Sequence, residues 1–206
     1  MPSSQSEWDA KHRLTAEASA SEPASIVREL LPILPSGPAL DIACGSGRHT
    51  LLLAARGQHV TAVDWSGAAL GILETRAWSV GVPVRRILSL DRAARSSHGG
   101  VALMQADLER VQIPERSYDL ILCIQYLQRS LFPQIPGALR PGGVLLFETY
   151  TRAQLDFTGG PRNPAHLLES GELREAFPQL GVLFYRELRA GQGIASLLAR
   201  KPGQKG

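Results

Sequence analysis

Apolar residues in this chain recur at two spacings that take turns. Ile26, Val27, Leu30, Leu31 and Leu34 lie at helical intervals and stop at Pro35 and Gly37, which predicts a helix starting near Ser21-Glu22-Pro23. Continuous apolar runs then alternate with further helical segments. Strands are expected at Ala39 to Ala43, His59 to Asp64, Val101 to Asp107, Tyr118 to Ile124, Val144 to Glu148, Val182 to Glu187 and Ile194 to Arg200. Between them, a helix from Arg48 to Arg56 ends at Gly57, and Ser66 caps another that carries Leu70, Leu73, Ala77 and Val80. Ser130 to Leu139 reads as helix broken by Pro133 and Pro136, Arg140-Pro141-Gly142-Gly143 as a turn, and Glu172 to Phe177 as a short helix.

Strands with no polar alternation need cover on both faces, and strands that alternate with helices are joined by crossovers. The pattern therefore predicts a doubly wound α/β domain with a largely parallel sheet. Ligands of such sheets bind beyond the carboxyl ends of the strands, at the switch in strand order. The domain is expected over residues 21–201. Residues 1–20 are polar, Ser/Ala-rich and read as a flexible, loose or partly helical arm around Trp8, and 202–206 as a tail. Residues 85–100 break the rhythm: Arg85, Arg86, Arg92 and Arg95 with few apolar anchors predict an inserted surface loop.

Composition narrows the class. A length of 206 residues with 44% hydrophobic content suits one domain with a full core. The net charge of +3, from 22 basic and 19 acidic residues, is concentrated after Arg200 and is too mild to predict a nucleic-acid groove. No apolar run approaches the roughly 20 residues of a membrane-spanning helix, and no secretory signal opens the sequence. Two cysteines, Cys44 and Cys123, make no metal-ligand pattern and are expected to stay reduced in a cytoplasmic setting.

Candidate chemistry gathers at the strand ends. Asp41-Ile42-Ala43-Cys44-Gly45-Ser46-Gly47 takes the first strand through a small-residue loop into a helix, so a ligand can approach the backbone and meet helix-start N–H groups. A nicotinamide fingerprint needs a third glycine where Thr50 stands, and an acid ahead of the glycines suits a cationic amino-acid group better than a pyrophosphate. Asp64 ends the second strand, where a carboxylate accepts from ribose hydroxyls, and Trp65 beside it can pack on a base. Ala106-Asp107-Leu108 follows the third strand, placed to serve adenine. Three carboxylates at three successive strand ends define a nucleoside-type site.

With these motifs the chain resembles the class I S-adenosylmethionine-dependent methyltransferases. The resemblance rests on residues 40–47, Val63-Asp64-Trp65-Ser66, Gln105-Ala106-Asp107-Leu108, Tyr118-Asp119-Leu120-Ile121 and Leu139 to Leu145, and spans roughly 22–200. Within the class it is most similar to the small bacterial branch related to tellurite-resistance methyltransferases. Gly47-Arg48-His49, Tyr126 to Phe132, Phe147-Glu148-Thr149-Tyr150 with Gln154, and Gly160 to Pro164 carry that likeness. Three features depart from it: Ala43 stands where the cofactor loop has its first glycine, the 85–100 insertion has no counterpart, and Lys11-His12-Arg13 follows Trp8-Asp9 where an Arg-Tyr pair is expected.

The resemblance implies a Rossmann-like, mostly parallel seven-stranded sheet with helices on both faces and an antiparallel last strand. It also implies S-adenosylmethionine as cofactor, held by Asp41, Ala43, Cys44, Gly45, Gly47, Asp64, Trp65, Ala106, Asp107, Leu108 and Ile124. The acceptor is expected to be a small molecule, a thiol or a chalcogen oxyanion, with no nucleic acid or membrane required. His49, Tyr126 and His166 are candidate bases, each with a packing role as the alternative. Tyr126 and Arg129 after the fourth strand, with Tyr150 and Arg152 after the fifth, predict an anion-tolerant acceptor pocket. A module that binds S-adenosylmethionine without turnover would carry the same motifs.

Overall fold

The computed structural model describes residues 4–14, 22–93 and 99–203. Helix α1 (Gln5–Leu14) precedes α2 (Ser25–Leu30), β1 (Ala39–Ile42), α3 (Arg48–Ala54), β2 (His59–Asp64) and α4 (Gly67–Ser79). There follow β3 (Val84–Arg86), α5 (Leu90–Ala93), β4 (Gly100–Gln105), β5 (Tyr118–Ile124), α6 (Gln134–Ala138), β6 (Leu139–Tyr150), α7 (Glu172–Glu175), β7 (Gly181–Leu188) and β8 (Ile194–Arg200).

The strands form one sheet in the order β3-β4-β2-β1-β5-β6-β8-β7. Pairs from β3 to β6 are parallel, and β8 runs antiparallel to both β6 and β7. Strand period decides which residues feed which core. On one face Leu40, Ile42, Ile121, Cys123, Leu145 and Phe147 pack with Phe177; on the other Leu120, Leu122, Ile124, Val144 and Leu146 pack with Ile26, Leu53 and Leu70. Phe132, Phe147 and Phe177 meet at ring-centroid distances of 5.2 to 6.1 Å. Both faces are dry, which is why the strands read as unbroken apolar runs.

Two expectations are corrected. The sheet has eight strands, not seven, because Val84–Arg86 pairs with β4 and Ile87 N–H donates to the Leu103 carbonyl at 2.9 Å. Arg85 and Arg86 are exposed, and Arg86 reaches Glu74 of α4 at 2.7 Å; charged side chains on a short edge strand protect the edge from further pairing. Leu90 of α5 is buried beside Leu108 and Val63, so the described part of 85–100 is anchored and not a plain surface loop; 94–98 lie outside the described residues. In the arm, expected to be loose or partly helical, Gln5–Leu14 form α1. This helix buries none of its residues fully, and polar contacts dock it.

The chain switches direction at β1, which has β2 on one side and β5 on the other. The carboxyl ends of β1, β2, β4 and β5 therefore converge on one crevice.

Candidate active site

The turn after β1 is built by backbone conformation. Ala43, Gly45 and Gly47 have φ of 56°, 55° and 82°, so the chain coils tightly into α3. Gly47 has no room for a side chain: an added Cβ would sit 2.1 Å from Leu73 Cδ1. Ala43 holds a left-handed conformation that glycine adopts freely, at a strain of about 1 kcal/mol.

Asp64, the last residue of β2, ties this turn to the neighbouring strand. Its Oδ2 accepts the Gly45 N–H and its Oδ1 accepts the Ser66 N–H, both at 2.8 Å. Burial raises the Asp64 carboxyl, and the two amides counter that rise. Asp41 is buried beneath the turn, where Thr50 of α3 donates its hydroxyl to Oδ2 at 2.6 Å. Desolvation pushes Asp41 up to about 7.

A cavity of about 830 Å³ opens above these strand ends, toward the upper end of the range of about 300–1,000 Å³ for ligand sites. Ala43, Cys44, Gly45, Asp64, Trp65, Asp107, Leu108, Ile124, His49, Tyr126 and His166 line it. Five expected site residues lie elsewhere. Asp41 sits behind the turn, Gly47 faces Leu73, and Ala106 packs into the core, so none reaches the cavity wall. Arg129 is a strut: its guanidinium holds Glu172 at 2.6 and 2.9 Å and donates to the carbonyls of Ala165 and Leu167, both at 2.9 Å. Arg152 pairs with Glu169 through its Nε. The expected arginine pair therefore clamps the 165–172 segment and leaves the acceptor side.

His49 lines the wall, but its Nε2 accepts the Ala24 N–H at 3.1 Å and burial pushes it down to about 3. It is a neutral packing group. Burial raises the Tyr126 and Tyr150 hydroxyls, which keeps them proton donors. Both thiols, Cys44 and Cys123, are buried, free and raised by desolvation. Among the described residues no cluster suits a metal ion, and no helix is long and apolar enough to cross a membrane.

Other wall residues were missed in the sequence. Helix α1 brings Trp8, Lys11 and His12, with Trp8 and His12 stacked at 5.9 Å and Lys11 Nζ 4.5 Å above the Trp8 ring. Asp9 anchors the helix by accepting the Ser66 hydroxyl at 2.5 Å and the Ala68 N–H at 3.1 Å, at the start of α4. Arg48 donates to Gln125 Oε1 at 2.7 Å across the cavity floor. Gly160 and Pro161 form the far wall, held by buried Gln154, which donates to the Gly159 carbonyl at 3.1 Å and accepts the Gly193 N–H at 2.9 Å. Trp8-Asp9 was a visible signal and Gln154 stood among the residues of the resemblance; Gln125 gave none.

Residues 40–147, more than half of the chain, match the family model described as a methyltransferase domain. The chain belongs to the class I S-adenosylmethionine-dependent methyltransferases. A trans-aconitate 2-methyltransferase from Rhizobium meliloti is 31% identical to this methyltransferase domain over 67% of the chain and 48% of its own length. A ubiquinone biosynthesis O-methyltransferase from Aeromonas salmonicida is 29% identical over 55% of the chain and 43% of its own length. The chain spans about half the length of the curated relatives it matches. Among solved structures, TehB from Haemophilus influenzae superposes with a TM-score of 0.70 over 92% of this chain and 66% of its own, at 19% identity. The fold is thus shared where the sequences have diverged.

The residues present fit the family's cofactor. The turn at Gly45 leaves backbone open to a ligand, and Asp64 and Asp107 present carboxylates to the cavity from adjacent strands. Ile124 and Leu108 supply apolar wall between them.

Proposed function

We propose that this protein transfers a methyl group from S-adenosylmethionine to a small-molecule acceptor in the cytoplasm, with thiols and chalcogen oxyanions as the first classes to test. The observation that carries the reading is the single cavity joining the Asp64–Gly45 turn to the Tyr126 and Tyr150 side. When bound, the cofactor supplies an electrophilic methyl group on a sulfonium.

In this reading Asp64 accepts from ribose hydroxyls, Asp107 from the adenine amine, and Trp65 packs on the base. Ala43, Cys44 and Gly45 offer backbone to the amino-acid end. Helix α1 excludes water from above by laying Trp8 and His12 over the turn; a Cβ on Gly45 would lie 3.6 Å from His12 Cε1. On the acceptor side Tyr126 and Tyr150 hold hydroxyl protons, and His166 is the imidazole with a free choice of role once His49 is committed to Ala24. A soft nucleophile needs no base, so alignment and desolvation suffice.

A small acceptor fits the size of the cavity and the likeness to a trans-aconitate 2-methyltransferase. The test is release of S-adenosylhomocysteine with a panel of thiols, chalcogen oxyanions, carboxylates, amines and phenols. Turnover with a small member is expected. Cofactor binding with no turnover on any member would make the domain a binding module.

A further inference from the structure

Among the described residues six arginines of this chain, Arg28, Arg86, Arg129, Arg140, Arg152 and Arg186, hold carboxylates in direct ion pairs, and none of the six lines the cavity. Arg48 differs. It lines the cavity, has no such ion pair among the described residues, and its guanidinium is held by the neutral amide of Gln125. The two acids whose charge bears on it are turned to other partners. Asp41 accepts from Thr50, and Glu148 accepts the Ser196 hydroxyl at 2.5 Å with Arg186 at 3.9 Å. A cation on a ligand wall that is oriented but not neutralised is a site for an anion.

The acids that line the cavity gather on one side. Asp64, Asp107 and Glu109 come from the ends of β2 and β4, whereas Arg48 reaches the end of β5, where Tyr126 and Tyr150 present hydroxyls that burial keeps protonated. This side offers donors. Gln125 is the device that aims the cation: it takes a left-handed φ of 59°, which a non-glycine residue holds only under constraint, and its N–H is fixed by the Glu148 carbonyl at 2.6 Å.

We propose that Arg48 binds a negatively charged group of the methyl acceptor, a carboxylate or an oxyanion, with Gln125 as its positioning residue. The inference rests on the reading of the domain as a small-molecule methyltransferase and names the class of its acceptor. Arg48 takes the place in the acceptor pocket that Arg129 and Arg152 vacate.

The test is calorimetry on protein loaded with S-adenosylhomocysteine, using succinate and citrate as carboxylates, selenite and phosphate as oxyanions, and succinamide as the neutral control. At least one anion binds and succinamide does not. Which anion binds separates the two sources of charge. Arg48→Gln weakens that anion about tenfold or more while S-adenosylhomocysteine affinity stays within about twofold, Arg48→Lys keeps part of the binding, and Gln125→Ala falls between. Melting curves of Arg48→Gln and Arg48→Lys confirm that both are folded, and the lysine variant carries the test if the glutamine variant is not. The proposal is overturned if no anion binds the loaded protein, if Arg48→Gln leaves anion binding unchanged, or if it weakens S-adenosylhomocysteine equally. Failure of S-adenosylhomocysteine itself to bind the wild type would remove the underlying reading first, and this inference with it.

Discussion

The Asp64 carboxylate accepts the Gly45 N–H at 2.8 Å, so the end of β2 fixes the loop that follows β1. One side chain thereby shapes the turn and presents its charge to the cavity. Asp64→Ala is expected to weaken S-adenosylhomocysteine binding by about 2 kcal/mol, or roughly 30-fold, as for loss of hydrogen bonds to a charged group. Asp107→Ala should cost less. Calorimetry decides it, and equal affinity of Asp64→Ala and wild type would take Asp64 out of the site.

Gly47 and Leu73 show how α4 supports the same turn. Any side chain at Gly47 meets Leu73 and is strained by φ of 82°. Gly47→Ala should destabilise the fold by about 2–3 kcal/mol, from clash and backbone strain together. Adding Leu73→Ala to Gly47→Ala would relieve the clash and leave the strain. Denaturant melts of the single and double variants should show partial coupling; strict additivity would mean that the two side chains do not meet.

Buried Asp41 gives a pH signature. Its folded value is about 7 against an ordinary 3.8, so the native state holds a proton more tightly than the unfolded chain between those limits. Stability from this group is present below the unfolded value and is lost as pH rises toward 7. Asp41→Asn removes the titration and can still accept from Thr50. The melting temperature of Asp41→Asn relative to wild type should therefore rise between pH 4 and pH 8, and a difference independent of pH would contradict the burial argument.

Much of the fold could be read in the sequence because both sheet faces are dry. The runs Tyr118 to Ile124 and Val144 to Glu148 have no other use for consecutive apolar residues, and their places in the sheet follow from parallel crossovers. Helix α1 could not be read in this way, since Asp9 docks it and hydropathy is blind to a cap contact made across 57 residues of chain. Edge strand β3 was hidden by Arg85 and Arg86, the residues that protect it. The turn with Asp64, Trp65 and Asp107 was legible because each stands directly at a strand end. Arg129 and Arg152 misled because sequence displays a charge without its partner; Glu172 and Glu169 lie 43 and 17 residues further on.

Arg129 accordingly belongs to stability. Its side chain is 43% exposed, so the ion pair with Glu172 is partly screened and the two carbonyl contacts carry much of the effect. Arg129→Ala should cost about 1–2 kcal/mol and leave S-adenosylhomocysteine affinity unchanged. A large loss of cofactor affinity without loss of stability would return Arg129 to the site.

The central claim is that the strand-end cavity is an S-adenosylmethionine site, and competitive calorimetry with S-adenosylhomocysteine and NAD tests it most directly. One equivalent of S-adenosylhomocysteine should bind the wild type, NAD should not displace it, and Asp64→Ala should weaken it. Binding of NAD with none of S-adenosylhomocysteine would contradict the account.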